Sequence, residues 1–461
     1  MAQHHIIIGG GPVATNAIES IRQFESGESQ ITLICDEPAH SRMALPYWLA
    51  KQIPREHTYT ANDEFYRRLN VNARIPEKVQ SIDPAANTLQ LTGGEALQFD
   101  NLLIATGSSP LNPPIPGLDL PGVQSLWSLA HTESLLNTTD TLKKPRVLMI
   151  GAGFIGFIML NAMYKRGWQL AVVEREPHVL PRMLNADGAA LVESWLAEKG
   201  VELHCGTTVQ SISQGDGSTK VVELDGGQTI EADVVIVATG IQPNLGLLDG
   251  SGIATDEGIL VNDLMQTNFE NIYAGGDVAQ GPILHSDQTA MHPIQPTAVD
   301  HGRIAGANMA GQDIHYPGSL LMNVLDVCGL QCASFGAWSD SSAETITMSN
   351  ATGHVYRNML WHDDEMVGAI FVGRAGDVGM LTDVGMVKGI LQTGTRLGAW
   401  KAHIQENPFD IRRPYTALKV AQQLAGTTLL GRAAQPRQYR FGGQEATVPP
   451  NPSHQVYVST K

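Results

Sequence analysis

The apolar and polar positions of this chain follow one pattern, and the chain carries that pattern twice. HIIIGGGPVA begins at His5 as an unbroken apolar run that enters a glycine turn, and VLMIGAGFIG begins the same way at Val147. A short continuous apolar run bounded by turn residues predicts a strand buried on both faces. A helix later, each run is followed by a second apolar strand that closes on acid: ITLICDE reaches Asp36 and Glu37, and LAVVE reaches Glu174. Each half then shows a Gly-Gly hairpin turn (Gly93-Gly94, Gly226-Gly227), an Asp (Asp100, Asp233) and an apolar strand ending Ala-Thr-Gly at Gly107 or Gly240. Gly94 to Gly107 and Gly227 to Gly240 both span 13 positions, a register that unrelated loops do not share. The pattern predicts two βαβ nucleotide-binding units in one chain.

Punctuation sets the boundaries. Prolines 110, 113, 114, 116 and 121 mark a linker after the first unit, and IQPN after Gly240 marks a second connection. TNFENIYAGGDVA, which contains Gly276 and Asp277, reads as a strand returning to the first unit. From about Tyr316 strand-like segments take over, followed by helix-like text from Asp377 to Leu397. The expected fold class is α/β, with two Rossmann-like dinucleotide-binding domains and a C-terminal α+β domain. The first domain would be discontinuous (1–113 and 241–315) and the second would span 114–240. The third would span 316–432, leaving 433–461 as an extended or disordered tail.

Composition narrows the function. The 461 residues include 30 Lys plus Arg against 46 Asp plus Glu, a net charge of −16 that argues against nucleic-acid or anionic-membrane binding. No run of about 18 apolar residues predicts a spanning helix. MAQHHIIIGGG lacks the basic start and cleavage site of a secretory signal, so a soluble cytoplasmic protein is expected. Four cysteines do not make a disulfide framework, and no His spacing with supporting Cys predicts a metal site.

The glycine turns carry the chemistry. In strand–G-x-G-x-x-G/A–helix, the first glycine makes the tight turn and the second lets the backbone approach a pyrophosphate. The third lets helix and strand pack. Gly9, Gly11 and Ala14 fill the first set, and Gly151, Gly153 and Gly156 fill the second. A carboxylate ending the second strand accepts ribose hydroxyls: Asp36 or its rival Glu37 in the first unit, Glu174 in the second. Glu174 predicts a preference for NADH over NADPH. Arg175 beside it either softens that preference or is a solvated strand-end charge.

These residues resemble the FAD- and NAD(P)-dependent pyridine nucleotide–disulfide oxidoreductase superfamily over roughly residues 4–430. GGGPVA (9–14, with Pro12) resembles its FAD turn and GAGFIG (151–156, with Phe154 and Ile155) its nicotinamide turn. Ala105-Thr106-Gly107 and Thr239-Gly240 match its strand ends. By the same likeness Asp277 would hold the flavin ribityl chain, Arg42 would lie near FAD, and Phe154 would shield the flavin face. DEPAHSRMALPYWLA is similar to the branch of ferredoxin and rubredoxin reductases, nitrite reductase flavin domains and coenzyme A disulfide reductase-like NADH oxidases. FAD, NADH (or NADPH) and a homodimer follow as expectations.

The departures are as informative. Neither dinucleotide unit has a paired-cysteine motif, and Met43 stands where relatives keep one cysteine two residues before Leu-Pro-Tyr. A thioether cannot become a thiolate, so that chemistry is lost. Relatives also pair a Glu with a Lys near the flavin, and those positions are Ile158 and Tyr47 here. Lys51, one turn after Tyr47, either approaches the flavin or is solvated. In the stretch 284–311 the resemblance places a helix against the flavin pyrimidine, with Thr297 as its cap. Of His285, His292 and His301, the last is expected as a donor or proton relay. Cys35, Cys328 and Cys332 are expected as core residues. The predicted function is an FAD-dependent NAD(P)H oxidoreductase that feeds a small iron–sulfur protein without a redox cysteine, with Arg67, Arg68, Arg74 and Lys51 as its candidate basic patch. The alternatives are an NADH oxidase or quinone or dye reductase, and a flavin-binding regulatory protein with a slow nicotinamide site.

Overall fold

The computed structural model describes residues 2–25, 27, 29–425, 437–441 and 444–448. Its first sheet is parallel, in the order Ile272–Ala274, Asn101–Ile104, His4–Ile8, Gln30–Ile34, Val71–Arg74. The second repeats that plan: Glu202–Cys205, Gln169–Glu174, Arg146–Ile150, Val234–Val237, Val123–Ser125. In each, the central strand is the apolar run ahead of the glycine turn, covered on both faces and therefore free of alternation. Each unit also carries a three-stranded antiparallel sheet, Val79–Asp83/Thr88–Leu91/Ala96–Gln98 and Val209–Gln214/Lys220–Leu224/Thr229–Ala232, with a register shift near the start of its first strand. The duplicated pattern is thus a duplicated architecture.

The helix Pro12–Glu25 leaves the first turn and buries Ala14, Ala17, Ile18 and Ile21. Against it lies Gln295–Met309, whose Gly302 and Gly306 set the distance. A β-carbon at Gly302 would stand 2.4 Å from the Val13 carbonyl oxygen, and one at Gly306 would stand 2.5 Å from that of Ala17. The two units are joined by two short antiparallel strands, Ser108–Pro110 and Ile241–Pro243.

The third region is a five-stranded antiparallel sheet in the order Met322–Val327, Leu330–Gly336, Glu365–Arg374, Val355–His362, Glu344–Asn350. The helix Val378–Thr393 covers it. Its cap is Asp377, which accepts the Met380 N–H at 3.1 Å, and it stops at Gly394 in the left-handed region. Met322–Val327 packs on Phe154–Lys165 of the second unit. In the tail, expected to be extended or disordered, the described residues form an antiparallel hairpin, Arg437–Phe441 with Gln444–Val448. The five-residue runs were too short to register as sustained periodicity but suffice for a pair. The rest of that tail lies outside the described residues. No described helix is long and apolar enough to cross a membrane.

Candidate functional site

The two glycine turns are built alike. Gly9 has φ +104°, and a β-carbon there would sit 2.2 Å from the Ala105 carbonyl oxygen; Gly151 has φ +103° and 2.4 Å to that of Ala238. Each first glycine is thus forced by the neighbouring Ala-Thr-Gly strand end. Gly11 and Gly153 are the opposite case, because a β-carbon at either meets nothing within 4 Å. That open cradle, at the start of a helix whose N–H groups face outward, fits a pyrophosphate. Pro12, the first helical residue of its turn, has no N–H to lose there. Gly156 packs its helix on Met149. Glu174 is 9% exposed, and its carboxylate accepts the Ala152 N–H at 2.6 Å and the Glu176 N–H at 2.9 Å. Two of its acceptor directions remain for a ribose.

Beside the first turn lies a cleft of about 380 Å³, walled by all three regions. The first unit supplies Gly9–Val13, Cys35–Pro38, Arg42, Met43, Pro46, Ala105–Gly107, Gly275–Asp277 and the helix start Ile294–Pro296. The second unit adds Phe154, Ile155, Ile158 and Met159, and the third adds Met322–Val324. Its wall mixes polar and apolar side chains. Arg42 Nη1 lies 3.6 Å from Asp277 Oδ2, Arg42 Nη2 donates to the Ser108 carbonyl at 3.3 Å, and the guanidinium sits 4.4 Å over the Trp127 ring. The Ser108 hydroxyl donates to Asp277 at 2.7 Å. Asp36, paired with Lys78 at 3.1 Å, and Glu37 both line the cleft, so the choice between them stays open.

Residues 3–302 match the pyridine nucleotide-disulphide oxidoreductase family. The chain belongs to that family. The NADH-dependent phenylglyoxylate dehydrogenase subunit epsilon of Aromatoleum evansii is 29% identical over 89% of this chain and 96% of its own length. Rhodocoxin reductase of Rhodococcus erythropolis is 31% identical over 68% of this chain and 73% of its own. A NAD-dependent persulfide reductase from A. fulgidus superposes with TM-score 0.77 at 26% identity, covering 86% of this chain and 77% of that one. The reductase–putidaredoxin complex superposes with TM-score 0.80 at 21% identity, covering 91% and 100%, a likeness of fold. The protein is an FAD-dependent NAD(P)H oxidoreductase, and the open Gly11 cradle with the Arg42–Asp277 pair of this cleft would suit its flavin.

Within this disulphide oxidoreductase framework the thiols are unpaired. All four cysteines are free. Cys35 is the one on the cleft wall, and burial pushes its thiol up to about 12. Burial likewise raises Cys328 to about 12 and raises Cys332. Met43, 42% exposed, lines the mouth in their stead.

The three residues expected to be catalytic, Lys51, Tyr47 and His301, do not line this cleft. Tyr47 is 53% exposed and off the cleft wall. Lys51 reaches away to Asp140, 2.9 Å from its carboxylate, which Arg166 also holds. His301 is 2% exposed behind the Gly276 turn, where its Nδ1 accepts the Gly276 N–H at 3.2 Å. Burial, with His292 nearby, drops its pKa to about 3, and the ring does not line the cleft. Thr297 is no cap either: Ile294 holds that position, and the buried Thr297 hydroxyl meets His292 Nδ1 at 3.1 Å. His285 bonds the Gln392 carbonyl of the third region. The expected basic patch is neutralised in part, with Arg74 on Glu77 and Glu95 and Lys51 on Asp140. Arg175 is held by Glu176.

The strand ends serve partly to join the units. Thr106 donates to the Asn244 carbonyl at 3.2 Å, Asn244 Nδ2 returns a bond to the Thr106 carbonyl at 2.8 Å, and Thr239 bonds the Leu111 carbonyl at 3.1 Å. Gly240, at φ +136°, begins the return strand. Sequence reasoning missed Asn244, Ser108 and Trp127. The IQPN connection was visible, but nothing in it marked Asn244 as the tie.

Proposed function

We propose that the protein takes electrons from NADH through FAD to a small iron–sulfur protein such as a ferredoxin or rubredoxin, without an enzyme thiol. In this reading FAD occupies residues 1–113 and 241–315, NAD(P)H occupies 114–240, and 316–432 forms the interface of a cytoplasmic homodimer. The single observation that carries it is the cleft wall, where the only cysteine is a buried, raised thiol and Met43 fills the mouth. Electrons leaving that cleft have no disulfide to pass through. Bound FAD would accept a hydride and release electrons singly. The chain's own part is to bind and orient: Gly11 and Gly153 give the pyrophosphates room, and Arg42 and Asp277 fix the ribityl end. Glu174 takes the ribose, and Phe154, Ile158 and Met159 exclude water where the rings meet.

Rhodocoxin reductase, by its name a reductase of rhodocoxin, supports the reading, as do the exposed apolar residues Met43 and Val324 on the cleft wall. The similarity to subunit epsilon over 96% of its length favours a second reading, in which the acceptor is a neighbouring subunit. The test is anaerobic mixing of the flavin-loaded protein with NADH, then with rubredoxin or ferredoxin. Bleaching near about 450 nm within a second or so, with recovery on adding the iron–sulfur protein, is the expected result. Cys35→Ser should behave like the parent. No bleaching over minutes would leave the flavin-binding regulatory alternative, and loss of turnover in Cys35→Ser would overturn the thiol-free route.

A further inference from the structure

The strand Gln169–Glu174, at the ribose site assigned to the nicotinamide unit, ends in a run of three consecutive charges, Glu174 and then Arg175 and Glu176 just beyond it, and the structure gives each a different situation. Glu174 is fixed: both carboxylate oxygens are occupied by backbone N–H groups, so it cannot swing aside for a more highly charged ligand. Arg175 is 76% exposed, and it is the cation adjoining that acid. An Arg in this place is the group that would accommodate the 2′-phosphate of NADPH. Its guanidinium does not stand free. Nε and Nη2 both donate to Glu176 Oε1, at 3.3 and 3.0 Å. Glu176 is in turn anchored through its backbone, because its N–H bonds Glu174 and its carbonyl accepts the Gly206 N–H at 2.9 Å from the next strand's end.

We propose that Glu176 is a specificity-determining residue that holds Arg175 out of use and so keeps the ribose site selective for NADH. The inference rests on the assignment of this unit to the nicotinamide cofactor. Glu174 alone disfavours a 2′-phosphate, but a free guanidinium one residue away would offset it with a forked, charge-assisted contact. With Glu176 engaged, the strand end presents two carboxylates around one occupied cation, a net negative charge facing a dianionic group. Because the Arg175–Glu176 pair is exposed, its hold is modest and its release should change selectivity several-fold, not abolish NADH binding.

The test uses the flavin-loaded protein at low ionic strength, with adenosine 2′,5′-bisphosphate and 5′-AMP titrated calorimetrically. Glu176→Gln should tighten adenosine 2′,5′-bisphosphate by about three- to tenfold and leave 5′-AMP within about twofold. The gain should vanish in the Glu176→Gln, Arg175→Ala double variant and shrink as salt is raised. In turnover, the ratio of kcat/KM for NADPH over NADH should rise by the same factor in the single variant only. A gain that survives in the double variant would overturn the proposal, since the Glu176 charge would then act without Arg175. Unchanged affinity in the single variant would overturn it too. If the parent bound neither 5′-AMP nor NADH, the assignment of the unit would fall, and this inference with it.

Discussion

His301 shows how one buried side chain serves the site from behind. Its Nδ1 accepts the Gly276 N–H, in the turn that brings Asp277 to the cleft wall. The neutral ring is required there, and burial keeps it neutral down to about 3. Between that value and the ordinary imidazole range near 6.5, the unfolded chain binds a proton that the folded chain refuses. Stability from this residue is therefore complete above about pH 6.5 and drains away as pH falls towards 3. Burial also lowers His5, His131 and His292, so they tilt the curve the same way. In His301→Gln the slope of unfolding free energy against pH below 6.5 should be shallower by about 1.4 kcal/mol per pH unit, measured by urea unfolding between pH 6.5 and 4.5. An unaltered slope would contradict the placement. The sequence singled out His301 without revealing which way it faced, because that depends on the strand Ile272–Ala274 and Tyr316, both distant along the chain.

At the scale of elements, the glycines divide by what their neighbours forbid. Gly9 and Gly151 were legible because the constraint repeats in each unit and recurs in the sequence as a motif. Gly302 and Gly306, four residues apart, were not, because the backbone they touch belongs to a helix almost 300 positions earlier. Their role is to bring Pro12–Glu25 and Gln295–Met309 into close contact, so that both helix starts reach the cleft wall. Gly302→Ala would press a methyl group onto the Val13 carbonyl, and backbone cannot give way as a side chain can. The expected outcome is a loss of roughly 1–3 kcal/mol in stability. Flavin release, followed by fluorescence on heating, should move to lower temperature. Equal release temperatures in parent and variant would show that the helices tolerate separation. The Thr297 misreading has a similar origin: the cap position fell on Ile294, one residue before the helix, and Pro296 lies within its first turn.

For the whole molecule, the third region leaves Val378 73% exposed, Leu381 40%, Phe409 56% and Leu424 37%. Isolated apolar residues on a surface are ordinary. If these side chains form the homodimer contact, Val378→Glu should shift the protein from dimer to monomer mass by light scattering at micromolar concentration. A parent that is already monomeric would remove the dimer from the proposed function. Fold class and both dinucleotide turns were readable in the sequence, since they rest on local periodicity and spacing. The assembly of the cleft from three regions was not, since Met322–Val324 reach it only through the packing of a strand on the helix Phe154–Lys165.

The ribbon Ser108–Pro110 with Ile241–Pro243 has a consequence for the history and engineering of the chain. It is the place where the polypeptide leaves the first unit and, 130 residues later, comes home, with departure and return hydrogen-bonded side by side and Asn244 as the rivet. A segment whose two ends are already neighbours can be lifted out as a cassette and replaced by another with the same end spacing, without breaking the host's sheet. The unit between those ends is then an exchangeable part. In the first unit's own sheet, Asn101–Ile104 from before the excursion pairs in parallel with Ile272–Ala274 from after it.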